Sequence, residues 1–178
     1  STYDKQFGRE LKWDIPMLGG YHHVFLKNFS PKPSSDFWGQ INPGIIKKLY
    51  VNKYDTVLVY GWNSFTNWLV FLTAFFLKIP IFLQGESPLN QELKKNNFKI
   101  HLKKLVLGNL FKTINSFLYI GKENKKFYAY YGVPEKKLFF SPYAVDNERF
   151  MKAKTEIDKN TARKKINIPA ESFVVLFV

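Results

Sequence analysis

Three polar residues follow a short apolar run near the middle of the chain: Gln84, Glu86 and Ser87 surround Gly85. The apolar run predicts a buried strand over residues 79–84, so these residues lie at its carboxyl end. In an open α/β sheet, ligands bind at the carboxyl ends of strands, where loop side chains and backbone groups are free. Gly85 lets a ligand or a loop approach the backbone closely, and Glu86 places a carboxylate at the edge of the cleft.

A second strand end has a similar composition. Residues 54–60 are β-branched and apolar, and Gly61-Trp62-Asn63-Ser64 follows before a helical run that reaches Leu77. This order predicts Asn63 or Ser64 as the helix cap, with backbone N–H groups pointing into the same cleft. A ligand contact and a plain cap are both open for the two side chains. Trp62 could stack on a sugar or a base, or it could be packing.

Further polar residues follow the next two predicted strands. Residues 117–120 lead into Gly121, Lys122 and Asn124, for which no mechanism follows from the residue types alone. Residues 138–141 lead towards Asp146. An aspartate in such a turn holds nearby backbone N–H groups with its side chain, and we expect this role for Asp146 rather than substrate contact. We keep all four as cleft-proximal positions.

Composition excludes several kinds of site. The chain has 178 residues, no cysteine and three histidines, of which His22 and His23 are adjacent. Disulfides, thiolate zinc sites and cysteine nucleophiles are therefore excluded, and the histidine spacing is not that of a metal site. The net charge of +13 favours nucleic acid, an anionic membrane surface or an anionic ligand as partner. A lysine-rich solvated surface explains the charge equally well.

Strands and helices are predicted to alternate along the chain. The predicted helices cover residues 43–53, a run that follows the Asn63 or Ser64 cap and reaches Leu77, a long basic region at 89–115, 125–131 closed by Gly132, and one turn at 161–165. The predicted strands cover residues 54–60, 79–84, 117–120, 138–141 and 173–178. This alternation predicts an α/β fold with a Rossmann-like, doubly wound parallel sheet and helices on both faces. The apolar run 68–77 is too short to span a membrane and predicts a buried helix.

Polar segments suggest where the chain divides. Residues 28–42 are rich in turn formers and look linker-like. The composition becomes charged after Phe150, and we place a domain boundary near residue 151. The predicted domains are residues 1–151 and 152–178. Lysines and apolar residues interleave along the basic region 89–115, which suits contact with anionic lipid or a solvated helix face.

Three groups of motifs, in this order and spacing, resemble glycosyltransferase family 4, also called group 1, whose enzymes have the two-domain GT-B fold. One group joins Gly132-Val133-Pro134 to Pro142-Tyr143-Ala144-Val145-Asp146 and to Ile168-Pro169 with residues 173–178. The second joins Gly61-Trp62 to Gly85-Glu86-Ser87, with Gln84 in place of the usual arginine. The third is Trp13-Asp14-Ile15-Pro16-Met17-Leu18 with Gly20-Tyr21, which is similar to a loop in the same subgroup.

The resemblance implies a Rossmann-like acceptor-side domain over residues 1–151, without the family's first βα unit. Residues 152–178 would be the linker and the first strand of a donor-binding domain. It implies transfer of a hexosyl-type sugar from a nucleotide-diphosphate sugar to a glycan or lipid-linked acceptor, with retention of configuration. Neither a cofactor nor a metal is implied, and this fragment alone would be inactive. Cell-surface polysaccharide synthesis is the implied setting, in the cytoplasm or peripherally at the inner face of an anionic membrane.

The resemblance also implies roles for the strand-end residues. Glu86 would be the catalytic candidate, either accepting a hydrogen bond from an acceptor hydroxyl or helping to deprotonate it. A supporting contact to a lysine or to the Trp13-Asp14 loop is the alternative. The implied acceptor-binding residues are Gly61, Trp62, Asn63, Gln84, Gly85 and Ser87.

Two rival interpretations remain. One is a non-catalytic basic α/β module that binds nucleic acid or an anionic surface, although no nucleic-acid motif accompanies the charge. Because that motif is missing, we expect no nucleic-acid partner. The other is a different GT-B enzyme, such as an epimerase or a phosphorylase.

Overall fold

A computed structural model describes residues 2–4, 9–11, 18–94, 97–156 and 158–175, with side chains for 18–94, 98, 100–152 and 158–175. The chain divides into two compact units, Ser1–Phe140 and Ser141–Val178. Each unit is described separately below. Residues 13–17 of the tryptophan-rich motif and residues 176–178 of the last predicted strand lie outside the described residues.

The first unit contains most of the regular structure. Its strands are β1 Thr2–Asp4, β2 Arg9–Leu11, β3 Val57–Tyr60, β4 Ile81–Gln84, β5 Ser116–Tyr119 and β6 Leu138–Phe140. Its α-helices are α1 Gly44–Asn52, α2 Phe65–Leu77, α3 Leu89–Glu92, α4 Asn97–Thr113 and α5 Lys122–Tyr130. Short 3-10 turns cover Phe37–Gly39 and Glu135–Lys137. No helix in the described part of the chain has the length and apolar content needed to cross a bilayer.

Four strands form one parallel sheet in the order β3-β4-β5-β6. Each strand lies beside the next one in sequence, and the connections run through α2, α3 with α4, and α5. This arrangement confirms the prediction of an α/β fold with a Rossmann-like parallel sheet. The β1–β2 pair is antiparallel and forms a separate two-stranded sheet that the sequence did not predict.

The core fills one face of the parallel sheet. Val59, Leu83 and Phe117 come from three neighbouring strands, are at most 4% exposed and belong to one apolar cluster. Phe117 packs against Phe111 of α4, with ring centroids 5.1 Å apart, and against Tyr128 of α5 at 4.9 Å. Phe71 and Ala74 of α2 join the same cluster. These helices therefore cover the same face of the sheet.

Side chains that alternate with this core leave part of the other face uncovered. Leu58, Tyr60 and Phe139 are 43%, 67% and 50% exposed. In a strand, successive side chains point to opposite faces, so these residues mark the second face. Within the first unit, the described helices that join the apolar cluster pack on the core face, so helices predicted on both faces are seen there on one.

Helix ends follow the expected chemistry. Ser64 caps α2, and its hydroxyl accepts the Asn67 N–H at 3.3 Å, which decides between the two predicted caps. Gly132 adopts φ +87 after α5, and the Val133 N–H reaches back to the Tyr128 carbonyl at 3.1 Å. This is a Schellman-type end, and it confirms the predicted role of Gly132.

Three local predictions are corrected. The basic region 89–115 is not one helix, because α3 ends at Glu92 and a turn at residues 93–94 precedes α4. The predicted loop at residues 122–124 is instead the first turn of α5, where the acidic Glu123 suits the helix dipole. The linker-like segment 28–42 is fastened: the Asn28 side chain donates to the Gly39 carbonyl at 2.8 Å and accepts the Ile41 N–H at 2.9 Å.

The second unit contains two helices, α6 Asn147–Glu156 and α7 Lys159–Lys165. The predicted helical turn is present as α7, whose first turn is capped by the Asp158 carboxylate at 3.1 Å from the Thr161 N–H. This N–H group, together with the backbone N–H groups of Asn160 and Lys159, lowers the pKa of Asp158. No strand is assigned over residues 173–175. The boundary placed near residue 151 falls within α6, and its link to a donor domain stays a prediction.

One face of the sheet is buried and the other is partly exposed, so shortening a side chain to alanine should cost more stability on the buried face. We expect Phe117→Ala to lower the free energy of unfolding by about 3–5 kcal/mol, because a fully buried ring leaves a cavity. Phe139→Ala, on the neighbouring strand, is the matched control and should cost less than about 1 kcal/mol. Urea unfolding followed by circular dichroism measures both. Equal costs would mean that the second face is also packed.

Candidate functional site

The carboxyl ends of β3 and β4 border a cleft of about 510 Å³. The strands are parallel, so the segments that follow them meet at the same edge of the sheet. The residues that line the cleft are Tyr60, Gly61, Trp62, Asn63, Gln84, Gly85, Glu86, Ser87, Pro88, Gln91 and Glu92. All seven residues predicted to bind or act on an acceptor are in this set. Their shared location is established, whereas their roles stay predictions.

Four side-chain and backbone hydrogen bonds hold the turn after β3. The Gly61 N–H donates to the Gln84 carbonyl at 2.7 Å and so joins the two strand tips. Asn67 Nδ2 donates to the carbonyls of Tyr60 and Gly61 at 3.0 and 3.2 Å, and Trp68 Nε1 donates to the Trp62 carbonyl at 2.9 Å. Gly61 itself needs φ +71. The turn is therefore a fixed wall of the cleft.

The start of α2 offers fewer free donors than the sequence predicted. The Asn67 N–H is taken by Ser64, and the Thr66 N–H donates to the Gln40 carbonyl at 3.2 Å. A helix N-terminus binds anions through such N–H groups, and two of them are occupied here. The start of α2 is thus poorly suited to binding a phosphate group.

Trp62 packs against the hydrophobic core and also lines the cleft. Its ring stacks on Phe127 with centroids 5.7 Å apart and planes 6° apart, and it meets Phe111 edge-on at 5.6 Å. Phe127 thus occupies one stacking face of the indole. The exposed remainder gives the cleft an apolar side.

Gly85 is needed for packing rather than for backbone conformation. A Cβ atom built on it would lie 2.9 Å from both Trp62 Cζ3 and the Tyr128 hydroxyl. The close approach expected at Gly85 is therefore made by the protein's own side chains. The Tyr128 hydroxyl donates to the Gly85 carbonyl at 3.5 Å, and the tyrosine is fully buried.

Gln84 supplies a buried amide that reaches the cleft. The residue is 7% exposed, and none of the described residues forms a hydrogen bond with its side chain. Fully buried side-chain nitrogen and oxygen atoms in the described part of the chain all have partners, so this amide keeps a small contact with the cleft. Burying an amide without a partner is costly, and a polar ligand would satisfy it.

Glu86 and Ser87 stand at the rim. Glu86 is exposed and forms no ion pair or hydrogen bond with any described residue, so its carboxylate is free to face a ligand. The supporting contact to a lysine is not seen within that part of the chain, and the Trp13-Asp14 loop lies outside it. Ser87 is half-buried, and its carbonyl accepts Asn124 Nδ2 at 3.1 Å.

The positions after β5 do not line the cleft. Asn124 is buried at 3% exposure and links two segments, because its Oδ1 also accepts the Ile120 N–H at 3.2 Å. It acts by holding the Ser87 turn in place. Lys122 is exposed on the first turn of α5, and Gly121 is the extended residue that precedes it.

Asp146 belongs to the second unit and precedes α6. Its Oδ1 accepts the Arg149 N–H at 3.0 Å, the geometry of an N-cap. The predicted use of its side chain to hold a nearby backbone N–H is confirmed.

A buried ion pair whose carboxylate, Glu92, lines the cleft was missed by the sequence analysis. Glu92 is 1% exposed, and its two oxygens accept Lys103 Nζ at 2.8 Å and the Tyr131 hydroxyl at 2.7 Å. Lys103 Nζ also lies 5.1 Å from the Phe127 ring centroid. Burial, followed by the hydrogen bond and charge of Glu92, raises the pKa of Tyr131. Because both its oxygens are occupied, Glu92 fastens α3 to α4 and α5.

The available groups define what the cleft can bind. The Gln84 amide can donate and accept, Glu86 can accept or take a proton, and Trp62 offers an apolar edge. This set suits a neutral ligand rich in hydroxyl groups. No group of three histidine, cysteine, aspartate or glutamate side chains that could hold a metal occurs among the described residues.

Packing around Gly85 can be tested by adding one methyl group. We expect Gly85→Ala to lower the free energy of unfolding by about 1–3 kcal/mol, because Trp62 or Tyr128 must move. It should also shift the tryptophan fluorescence. Gly108→Ala is the control: it lies within α4, where the nearest atom is 4.0 Å away, and it should be neutral or stabilising. Neutral behaviour of Gly85→Ala would contradict the close packing.

Alkaline pH should destabilise the fold through Tyr128. Burial raises its pKa far above the ordinary value of 10.0, so above about pH 10 the unfolded chain loses a proton that the folded chain keeps. The contribution of Tyr128 to the free energy of unfolding is fully present below pH 10 and is lost as the pH rises. We expect Tyr128→Phe to reduce this slope by up to about 1.4 kcal/mol per pH unit. Urea unfolding at pH 9–11 measures it, with Tyr50→Phe, which removes an exposed hydroxyl, as the control.

Comparison of the chain with protein-family models, with curated proteins and with solved structures found no match in any of the three. The glycosyltransferase resemblance therefore stays a prediction from the motifs.

Proposed function

We propose that this chain forms the acceptor-side domain of a glycosyltransferase with the GT-B fold. The enzyme transfers a sugar from a nucleotide-diphosphate sugar to a glycan or lipid-linked acceptor, in cell-surface polysaccharide biosynthesis. The observation that carries the proposal is the cleft itself. The buried Gln84 amide and the Glu86 carboxylate, neither of which has a side-chain partner among the described residues, stand together where two parallel strands end.

Acceptor hydroxyls match these groups. The Gln84 amide hydrogen-bonds one hydroxyl, and the edge of Trp62 lies beside the apolar C–H face of the sugar ring. Glu86 at the rim accepts the hydrogen of the reacting hydroxyl. Because α2 has few free N–H groups, this cleft suits the neutral acceptor better than the diphosphate of the donor.

The chemical step forms one bond and breaks another. The acceptor oxygen bonds to the anomeric carbon, and the bond from that carbon to the diphosphate breaks. The diphosphate leaves with the electron pair, and the hydroxyl proton passes to Glu86 or to the leaving oxygen. Retention of configuration follows from the family resemblance. Glu86 contributes by orienting the nucleophile and, on the first of these two routes, by accepting its proton.

Glu86→Ala tests this role in the natural full-length protein. We expect transfer of radiolabel from a panel of nucleotide-diphosphate sugars to glycan and lipid fractions to fall at least about tenfold. The unfolding midpoint should not change, since the side chain is exposed. Asp55→Ala is the matched control, because it removes an exposed carboxylate at the opposite end of β3.

Glu86→Gln separates orientation from proton transfer, because an amide still accepts a hydrogen bond. Recovery of most of the activity would assign orientation, whereas a loss equal to that of the alanine variant would assign the base. Full activity of Glu86→Ala would remove the residue from the mechanism. Absence of transfer from every donor, together with tight binding of DNA or RNA, would favour the basic-module interpretation.

A further inference from the structure

The outer side of α4 carries a second apolar stripe. The inner side buries Ile100, Leu107 and Phe111 against the core. Leu102 and Leu105, with Val106 beside them, are 55%, 66% and 43% exposed, and Phe98 one turn earlier is 76% exposed. Residues 98, 102 and 105 have the i, i+4, i+7 spacing of one helix face. A water-facing helix side would normally be polar.

The segment that carries this stripe is positively charged. No acidic residue occurs between Glu92 and Glu123, a stretch that contains Lys94, Lys95, Lys99, Lys103, Lys104, Lys112 and Lys122. Lys94, Lys104 and Lys112 are exposed in the structure. Lys104 lies with its Nζ 4.5 Å from the Tyr130 ring centroid, which holds it beside the helix. Exposed apolar and exposed cationic side chains therefore occur together on and near α4.

We propose that this surface docks on an anionic lipid bilayer, with α4 lying in the plane of the interface. We define the docking face as Leu102, Leu105 and Val106 with Lys94, Lys104 and Lys112. A bilayer interface supplies both of the chemistries that the face requires. Its acyl boundary takes the apolar stripe, and its phosphate headgroups take the lysines. A nucleic acid would satisfy the lysines but would leave the leucines in water.

Docking would bring the bilayer near the cleft. Gln91 and Glu92 of α3 line the cleft, and α4 begins five residues after Glu92. The apolar stripe lies in the first half of α4, which is the half nearer to that end of the sheet. A lipid-linked acceptor could thus enter from the membrane, a consequence that rests on the proposed function. The docking itself does not.

Vesicle co-sedimentation tests docking without nucleotide sugar or catalysis, so its failure and that of the proposed transfer are distinguishable. We expect the chain to bind phosphatidylcholine vesicles that contain about 30 mol% phosphatidylglycerol at least tenfold more tightly than pure phosphatidylcholine. Binding should weaken several-fold in about 0.5 M salt, where charge attraction is screened. Equal binding to both lipids, or none to either, would overturn the proposal.

Paired variants locate the surface. Leu102→Ser with Leu105→Ser should weaken vesicle binding at least tenfold, since the inserted side chains are lost. The control is Leu72→Ser with Phe76→Ser on α2, whose side chains are 57% and 72% exposed but have one lysine, Lys78, near them in sequence. This control should bind as the parent does. Equal losses in both pairs would show that α4 is not the docking helix.

A charge swap completes the test. Lys94→Glu with Lys112→Glu should weaken binding at least tenfold. Lys47→Glu with Lys136→Glu has the same net charge and alters exposed lysines elsewhere, so it should weaken binding much less. Circular dichroism and urea unfolding confirm that each variant is folded. Equal effects of the two charge pairs on vesicle binding would contradict a lipid partner. Binding of the chain to duplex DNA that is unchanged by the leucine substitutions would contradict it as well.

Discussion

Aromatic packing behind the carboxyl ends of the strands is the constraint on which the site depends. Phe117 on β5 contacts both Phe111 and Tyr128, and Phe127 stacks on Trp62. These rings bring α4, α5 and the turn after β3 against one another, and the approach is so close that a Cβ atom at position 85 would displace Trp62 or Tyr128. The cleft wall is therefore a continuation of the hydrophobic core. Its position follows from core packing rather than from loop preference.

That constraint divides the polar groups into two sets. Asn67, Asn124 and Glu92 use their side chains on neighbouring backbone or side-chain partners and hold the cleft in shape. Gln84 and Glu86 have no such partners in the described part of the chain. A fixed frame around two unused polar groups lowers the entropic cost of binding, since little must be ordered when the ligand arrives. This division is the strongest physical argument for a site at this strand tip.

The sequence was sufficient for the positions of the sheet strands along the chain and for the meeting of their tips. Apolar runs ended by glycine and polar residues predict buried parallel strands, and parallel strands must present their ends at one edge. It was not sufficient for contacts that depend on where helices break. Glu92 and Lys103 are eleven residues apart, which in one continuous helix is about 16 Å. Because the chain turns after Glu92, the two side chains meet at 2.8 Å. No periodicity in the sequence indicates that turn. The start of α5 at Lys122 was missed for a related reason, since glycine followed by polar residues is typical of both a loop and a helix start.

The composition of α4 shows how one helix can serve two environments. Its apolar residues lie on both its inner and outer sides, so the sequence has no simple amphipathic period. The core removes Ile100, Leu107 and Phe111 from water and leaves Leu102 and Leu105 exposed. Lys103 points inward to Glu92, whereas Lys104, next in sequence, lies beside Tyr130 at the surface. Adjacent lysines thus have different functions, because one neutralises a buried carboxylate and the other adds to the surface charge. The net charge of the chain alone could not distinguish a structural lysine from one that is available to a partner.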